Sequence, residues 1–388
     1  MDSFKPCVIT INAGSSGIKF ALYEMAIVPV RLFYGETENK DSGTENKDSG
    51  VDQGIHSNYI IDQLVKQESF GFVKAIGHRI VQGIRHAEPK RIDAAFLEKL
   101  KRNSSDDPEH LPEAIKFIEL FIKRYPTLIQ IACFDSSFHT SMPLVAKMLP
   151  IPRKFYAQGI QRYGYHGISY SYLMEELKRM AGSKTAQGKI ILAHLGNGAS
   201  LAAVKEGKSV DTSMGFSPSS GLLMGTRCGD LDPGAAYYLT EKEHLSPKQF
   251  NRLINQQSGL LGLSETSSDM RELLKLQNTD FRAAEAIELF CYQIKKWIGS
   301  FAAVLGGLDT LVFSGGIGAH AAEIRQCICR DLQFLGIKLD EERNTKNETV
   351  ISTERGNGNV CVRVIPTNEE LMIARLTAQF LNCSNQLV

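Results

Sequence analysis

Residues Ile190–Val204 read IILAHLGNGASLAAV, and residues Cys7–Tyr23 read CVITINAGSSGIKFALY. Each is an apolar, β-prone run, a turn of glycines and small polar residues, and a second apolar run. That is the pattern of two strands joined by a tight turn. A glycine turn between strands exposes backbone N–H groups at one point, a nest suited to an anion such as phosphate. One such hairpin is ordinary structure. Two of them, near the start and the middle of the chain, indicate two similar halves, each offering one nest to a shared ligand.

The second hairpin runs on as KEGKSVDTSMGFSPSSGLLMGTRCGDLDPG to Gly234, with Asp211, Ser213, Arg227, Asp230 and Asp232 among further glycines. Arginine forks bind phosphate or carboxylate bidentately, and carboxylates hold magnesium, so the mixture suggests phosphoryl transfer. A Gly-rich surface loop is the alternative reading at this point.

Composition bounds the rest. A chain of 388 residues with 43% hydrophobic and 22% charged residues builds ordinary cores, and its length suits two or three domains. With 44 basic against 43 acidic residues the net charge is +1, and no sizeable cationic run occurs. Nucleic acid and anionic membrane are therefore not expected as partners. MDSFKPCVIT lacks a basic segment followed by a long apolar core, so no signal peptide is expected. The apolar stretch near Ile298–Leu308 stops at Asp309, too short for a bilayer. The eight cysteines are dispersed and none forms a CxxC pair, which fits reduced thiols in a cytoplasmic enzyme.

Other segments follow the same logic. TENKDSG repeats without change at 37–43 and 44–50; without apolar residues it cannot bury anything and reads as a loop or linker. Phe72–Ile80 reads as a strand, with Arg79 inside its apolar run needing a ligand or an internal carboxylate. Lys19 could meet a phosphate or simply face outward from its strand. Pro112 opens a helix with Ala114, Ile115, Ile118, Phe121 and Ile122 on its core face, and Pro126 closes it. Leu128–Phe134 is a strand delivering Asp135 at its end, where α/β folds place ligand-facing groups. Prolines 143, 150 and 152 suggest a crossover between domains.

Tyr163-Gly164-Tyr165-His166-Gly167 holds a histidine that is either packed core or a ligand to a reacting group. Ser169 can cap a helix with Leu173, Leu177 and Met180 on its core face. From Ser246 to about Leu305 the chain reads as mainly helical. Thr310–Phe313 is a strand entering the glycine turn Gly315-Gly316-Ile317-Gly318, with a helix at Ala321–Leu332, a second kind of phosphate site. No GxxxxGK[ST] or GxGxxG occurs, so neither a P-loop nor a Rossmann site is supported. Thr367 with Glu370 fits a capping box, which leaves Glu369 for a metal.

The strings INAGSSGIKF, GHRIVQG, FDSSFHTSMP, RYGYHGIS, HLGNGAS, DTSMGFSPSSGLLMGTRCGDLDPG, FSGGIG and PTNEELMIA, in that order over nearly the whole chain, closely resemble the acetokinase family of short-chain acyl kinases. The resemblance implies an α/β fold of duplicated actin-like, ribonuclease-H-like domains, the superfamily of acetate and sugar kinases, Hsp70 and actin. It implies an N-terminal domain over 1–145 completed by a helix at 371–388. The C-terminal domain, 146–370, would carry the nucleotide site and a homodimer interface. The family reaction is ATP + acetate ⇌ ADP + acetyl phosphate with magnesium, manganese being an alternative.

Carried over by residue, Asn12 and Glu369 would bind the metal. Arg79 and Arg227 would grip the acetate carboxylate and the transferring phosphoryl group, and Asp135 would orient the substrate. His166 would hydrogen-bond the phosphoryl oxygens. Lys19, His194, Gly196, Asn197 and Gly198 would line the phosphate turns. Asp211–Ser213, Arg227 and Gly315–Gly318 with Ile317 would flank the nucleotide, and Val81, Tyr165 and Pro218 would wall a small acyl pocket. Such transfer asks for in-line positioning and charge stabilisation, and acetate is already an anion needing no deprotonation.

The sequence departs from the family pattern at Gly17, Gln82, Ile84, Glu109-His110, Ser219-Ser220 and Ala319-His320, around the acyl group and nucleotide. Rival readings are a propionate kinase, a pyrophosphate-dependent variant, a hydrolase using Asp135 or Glu369 as base, and a non-catalytic nucleotide-binding actin-like protein.

Overall fold

The computed structural model describes residues 5–14, 17–38, 50–81, 86–104, 111–353 and 360–383. Ser15–Ser16, the repeat from residue 39 to 49, Gln82–Ile84 and Glu109–His110 lie outside the described residues. The chain divides into two units, residues 1–137 with 368–388, and residues 138–367.

In the first unit six strands form one sheet: β1 (Cys7–Gly14), β2 (Gly17–Glu24), β3 (Val30–Glu38), β4 (Val73–Ile80), β5 (Lys90–Arg91) and β6 (Ile129–Phe134), ordered β3-β2-β1-β4-β6-β5. β1, β2 and β3 are an antiparallel meander, and β4 and β6 run parallel to β1. β1 is buried from Cys7 to Ala13 without alternation, as expected for a strand covered on both faces. Ile9, Ile11 and Ala13 pack with Ile60, Ile61, Leu64, Phe117 and Phe121, from the helices Gly50–Val65 and Leu111–Arg124. The C-terminal helix Glu369–Cys383 lies against β1 and β4. There Gly77 leaves the room that Thr377 and Ile373 occupy; a Cβ at Gly77 would collide with both side chains.

In the second unit, β7 (Lys189–Leu195), β8 (Ala199–Lys205), β9 (Lys208–Thr212), β10 (Thr310–Ser314) and β11 (Cys361–Val364) are ordered β11-β10-β7-β8-β9. β7, β8 and β9 form the meander, and β10 and β11 are parallel to β7. The strand grammar is that of the first sheet. Both quoted hairpins open their sheets, and the duplicated actin-like, ribonuclease-H-like α/β fold follows from their repetition. Among the described residues, no helix is long and apolar enough to cross a membrane.

Several local expectations change. In Leu111–Arg124 the helix feeds two apolar clusters, so its buried face turns towards Phe117, and Ile122 is exposed. In Gly167–Ala186 the buried stripe runs Tyr170, Leu173, Leu177 and on to Ala181, leaving Met180 exposed just before a break at Gly182. The cap of that helix is His166, and Ser169 sits inside it with its hydroxyl turned to other work. Gly315–His320 is itself a short helix, and the next helix spans Ala322–Cys329, ending earlier than its apolar pattern suggests. Pro143 and Pro152 precede short helices inside the second unit. No disulfide forms; the cysteines are free thiols.

Candidate active site

Three parallel strands of the first unit end in polar residues. β1 and β4 pair with Ile11 opposite His78, which sets Asn12 beside Arg79, and Asp135 follows β6. Arg79 Nη2 donates to Asp135 Oδ2 at 2.9 Å, and its Nη1 donates to Asn12 Oδ1 at 3.1 Å. Asn12 Nδ2 in turn donates to Glu369 Oε2 at 2.8 Å and to Glu370 Oε1 at 2.9 Å. The result is one continuous network, with Asp135 fully buried. It orients the arginine by a charge-assisted bond on one side and the amide on the other. The Asp135 amide is tied to the Ile80 carbonyl at 2.9 Å, fixing the carboxylate to the end of β4.

Glu370 is the residue that sequence reasoning assigned elsewhere. The capping box with Thr367 does not form: Asn368 Oδ1 accepts from the Leu371 amide, and Thr367 Oγ1 accepts from Ser169. Glu370 turns instead to Asn12. Burial, with Glu369 beside it, raises its carboxyl above the usual range. The adjacent pair of glutamates was the available signal. Among the described residues no three His, Cys, Asp or Glu side chains gather as a metal cage. The two adjacent carboxylates nonetheless suit magnesium, which keeps several waters and takes one or two carboxylates beside substrate phosphates, while Asn12 turns its amide nitrogen to them and its oxygen to Arg79.

In the same unit Val81 is buried just past β4. Lys19 is half-exposed on β2 and faces Glu36 at 3.7 Å, the outward-facing option.

The second unit builds its site around the β7–β8 turn, closed by the Gly196 amide on the Gly198 carbonyl at 3.0 Å. Register places Ser314, the end of β10, opposite His194. Gly315 then takes a left-handed φ of 74°, packed so closely on the Leu195 backbone that a Cβ could not fit. A Cβ on Gly196 would stand 3.8 Å from the Gly316 amide, so the turn and the start of Gly315–His320 are neighbours. Gly318 gives its carbonyl to the fully buried Arg325, 2.9 Å from Nη1, and Arg325 is further held by Asn344. No sequence motif pointed to that latch.

His166 sits at φ 59°, an uncommon left-handed conformation for a residue with a Cβ. The flanking chain enforces it. The Tyr163 amide donates to Gly215 O at 2.9 Å, Tyr165 donates its hydroxyl to Phe216 O, and His139 Nε2 meets Tyr165 O at 3.0 Å. The imidazole lies over that of His194, ring centres 4.3 Å apart and 31° from parallel. A Cβ on Gly198 would stand 3.2 Å from His166 Nε2 and 3.6 Å from Arg227 Nη1. The third residue of the glycine turn is therefore where imidazole and guanidinium converge. Arg227 Nη1 donates to Pro218 O at 3.0 Å and contacts Met224 Sδ at 3.4 Å. Asn197, exposed, contacts Gly225 through its side-chain oxygen and its carbonyl. Asp211 accepts from Arg162 at 2.9 Å, and Ser213 Oγ accepts from the Leu201 amide.

The second site thus collects donors and a cation about a backbone nest, an anion site. The first collects carboxylates about one arginine.

A profile of the acetokinase family matches residues 7–375. The chain belongs to the acetokinase family. Members similar to it include acetate kinase of Rickettsia akari (strain Hartford), 40% identical over 97% of this chain and 100% of the relative. Acetate kinase of Rhodopseudomonas palustris (strain TIE-1) is 39% identical over 95% and 96%. Among solved structures, Porphyromonas gingivalis acetate kinase superposes with a TM-score of 0.82 at 33% identity, covering 97% of this chain and all of that one. A propionate kinase from Francisella tularensis reaches 0.82 at 34% identity, covering 96% and 98%. Membership in the acetokinase family makes the chain an enzyme, a phosphotransferase with a carboxyl acceptor. Within each unit, the acetokinase strings quoted above are the segments that carry these two sites.

Proposed function

We propose that the enzyme transfers the γ-phosphoryl group of ATP to acetate, giving acetyl phosphate and ADP, reversibly and by direct in-line displacement. A carboxylate oxygen attacks the γ-phosphorus, a new P–O bond forms, and the bond to the β-phosphate oxygen breaks with ADP as leaving group. The observation that carries this reading is the meeting of His166 Nε2 and Arg227 Nη1 at Gly198. Two donors beside a backbone nest suit the spread charge on a transferring phosphoryl group, and positioning with charge stabilisation is what this reaction requires.

The other groups have complementary work. Arg79, oriented by Asp135, would hold the acetate carboxylate, with Val81 beside its methyl group. Glu369, with Asn12 and the neighbouring Glu370, would hold magnesium. Held there, the ion would supply positive charge to offset that of the phosphates. Gly196, Asn197, Gly198 and the Gly315–Gly318 segment would take the nucleotide phosphates, and His194 would line them. We assign the enzyme to the cytoplasm and to homodimers; Tyr237, Tyr238, Tyr292 and Val304, exposed on second-unit helices, supply apolar area for pairing.

A hydroxylamine trap tests the reading. Purified protein with magnesium and ATP or pyrophosphate is offered acetate, propionate and butyrate. Acetyl hydroxamate formed with ATP is the expected product. A signal confined to propionate, as the Francisella tularensis relative's name invites, or to pyrophosphate, would replace the substrate assignment. No acyl hydroxamate from any combination would sink it.

A further inference from the structure

Two chains of hydroxyls run beneath the stacked histidines of the second unit. Under His166, the Tyr170 hydroxyl lies 2.5 Å from Ser200 Oγ, which lies 2.8 Å from His166 Nδ1. Tyr170 and Ser200 are both fully buried. Under His194, Ser169 Oγ lies 2.8 Å from His194 Nδ1 and donates to Thr367 Oγ1 at 2.8 Å. A serine has one proton to give, and the neutral imidazole has one N–H and one acceptor nitrogen.

The proton count differs between the two chains. A phenol, with a pKa near 10, is a far stronger acid than an aliphatic alcohol and is the natural donor in a Tyr–Ser pair. Tyr170 therefore donates to Ser200, Ser200 donates to His166 Nδ1, and the imidazole proton stands on Nε2, the nitrogen facing Gly198 and Arg227. Ser169 has already given its proton to Thr367, so it accepts from His194, whose proton stands on Nδ1. The hydrogen bond made by one ring nitrogen sets the state of the other.

We propose that these two hydroxyl chains hold His166 and His194 in opposite tautomers, making His166 Nε2 a donor and His194 Nε2 an acceptor. Ser200, Tyr170 and Ser169 are then positioning residues, acting through the imidazoles. The consequence for turnover rests on the phosphoryl-transfer reading: only a proton on His166 Nε2 can be directed at a phosphoryl oxygen. The tautomers themselves do not depend on that reading.

Nitrogen-15 NMR of the full-length protein, labelled at histidine, separates the two questions. In the wild type, His166 is expected to show a protonated Nε2 and a bare Nδ1, and His194 the reverse, each assigned by its His→Gln variant. The same tautomer on both rings, or the reverse pair, would overturn the proposal whatever the protein catalyses. In Ser200→Ala, His166 should become a tautomer mixture and kcat should fall about tenfold with KM for ATP and acetate little changed. Ser200→Thr, which keeps the hydroxyl, should restore both. Tyr170→Phe, which keeps the ring, should give a smaller loss in the same direction. Wild-type kcat with an unaltered His166 spectrum in Ser200→Ala would refute the relay. A wild type that makes no acyl phosphate would remove the turnover reading while leaving the spectra to decide the tautomers.

Discussion

The two units repeat one strand order yet end their strands in opposite chemistry. In the first, β1, β4 and β6 lead into Asn12, Arg79 and Asp135, and the arginine is held by a fully buried carboxylate. In the second, His194 near the end of β7 stands opposite Ser314 at the end of β10, and the arginine of that site, Arg227, donates to a carbonyl and contacts a thioether. Topology therefore fixes where functional groups gather, at the C-terminal ends of parallel strands, and leaves their charge free to diverge. It also separates two jobs that arginine can do. Arg79 is half of a buried ion pair, so its surroundings carry structural weight. Arg227 sits at the glycine turn, where its guanidinium and the His166 imidazole converge on Gly198.

Substitutions can break or sharpen that contrast. Arg227→Ala should lower kcat by about 10³-fold or more with little change in thermal midpoint. A variant turning over near the wild-type rate would place the chemistry elsewhere. Asp135→Ala, by contrast, should destabilise the first unit by about 3–5 kcal/mol, because it strands a mostly buried guanidinium. Urea unfolding measures it, and a midpoint equal to the wild type's would mean that the pair is not structural.

Glu370→Gln probes the carboxylate end more gently. Burial raises the folded-state pKa of Glu370 above its unfolded value. Its protonated form thus favours folding at low pH, and that contribution is lost as pH rises through the folded pKa. The Gln variant should gain thermal stability over the wild type at pH 7–8 and lose that advantage as pH falls towards the ordinary carboxyl range. If Glu370 helps hold magnesium, the same substitution should raise the magnesium concentration needed for half-maximal activity. A stability gap constant with pH would contradict the burial argument. Lys19→Ala is the smallest expected effect, within about 0.5 kcal/mol and with unchanged turnover, because its partner Glu36 is exposed beside it. A large rise in KM for ATP would restore Lys19 to the phosphate site.

Much of this was legible beforehand because the signals were local. Alternating turn chemistry and apolar runs marked both hairpins, and a charged residue inside or just after a buried strand marked Arg79 and Asp135. What stayed hidden depends on contacts distant in sequence. Asn12 and Glu370 meet only because the last helix docks on β1. The capping box was read at Thr367, whereas it is the Asn368 side chain that accepts from a helix amide, a shift of one residue that backbone geometry decides. Ser200 carries no signal of its own in the sequence, and its value comes from its contact with the His166 imidazole. Met180 and Ile122 fit helical periodicity, but the faces they occupy are not covered.

The helix Glu369–Cys383 is chemically part of the first sheet, while residues 138–367 are made before it. For a chain emerging from a ribosome at about 5–20 residues per second, β1 and β4 wait roughly 15 to 75 seconds for the element that covers them. During that interval Gly77 and Cys133 face a vacant groove, which Thr377 and Ile373 later fill. The opening half of the molecule is thus the last to be finished. Its early strands are natural clients for a chaperone, whereas the second unit can close as soon as its own sequence is out.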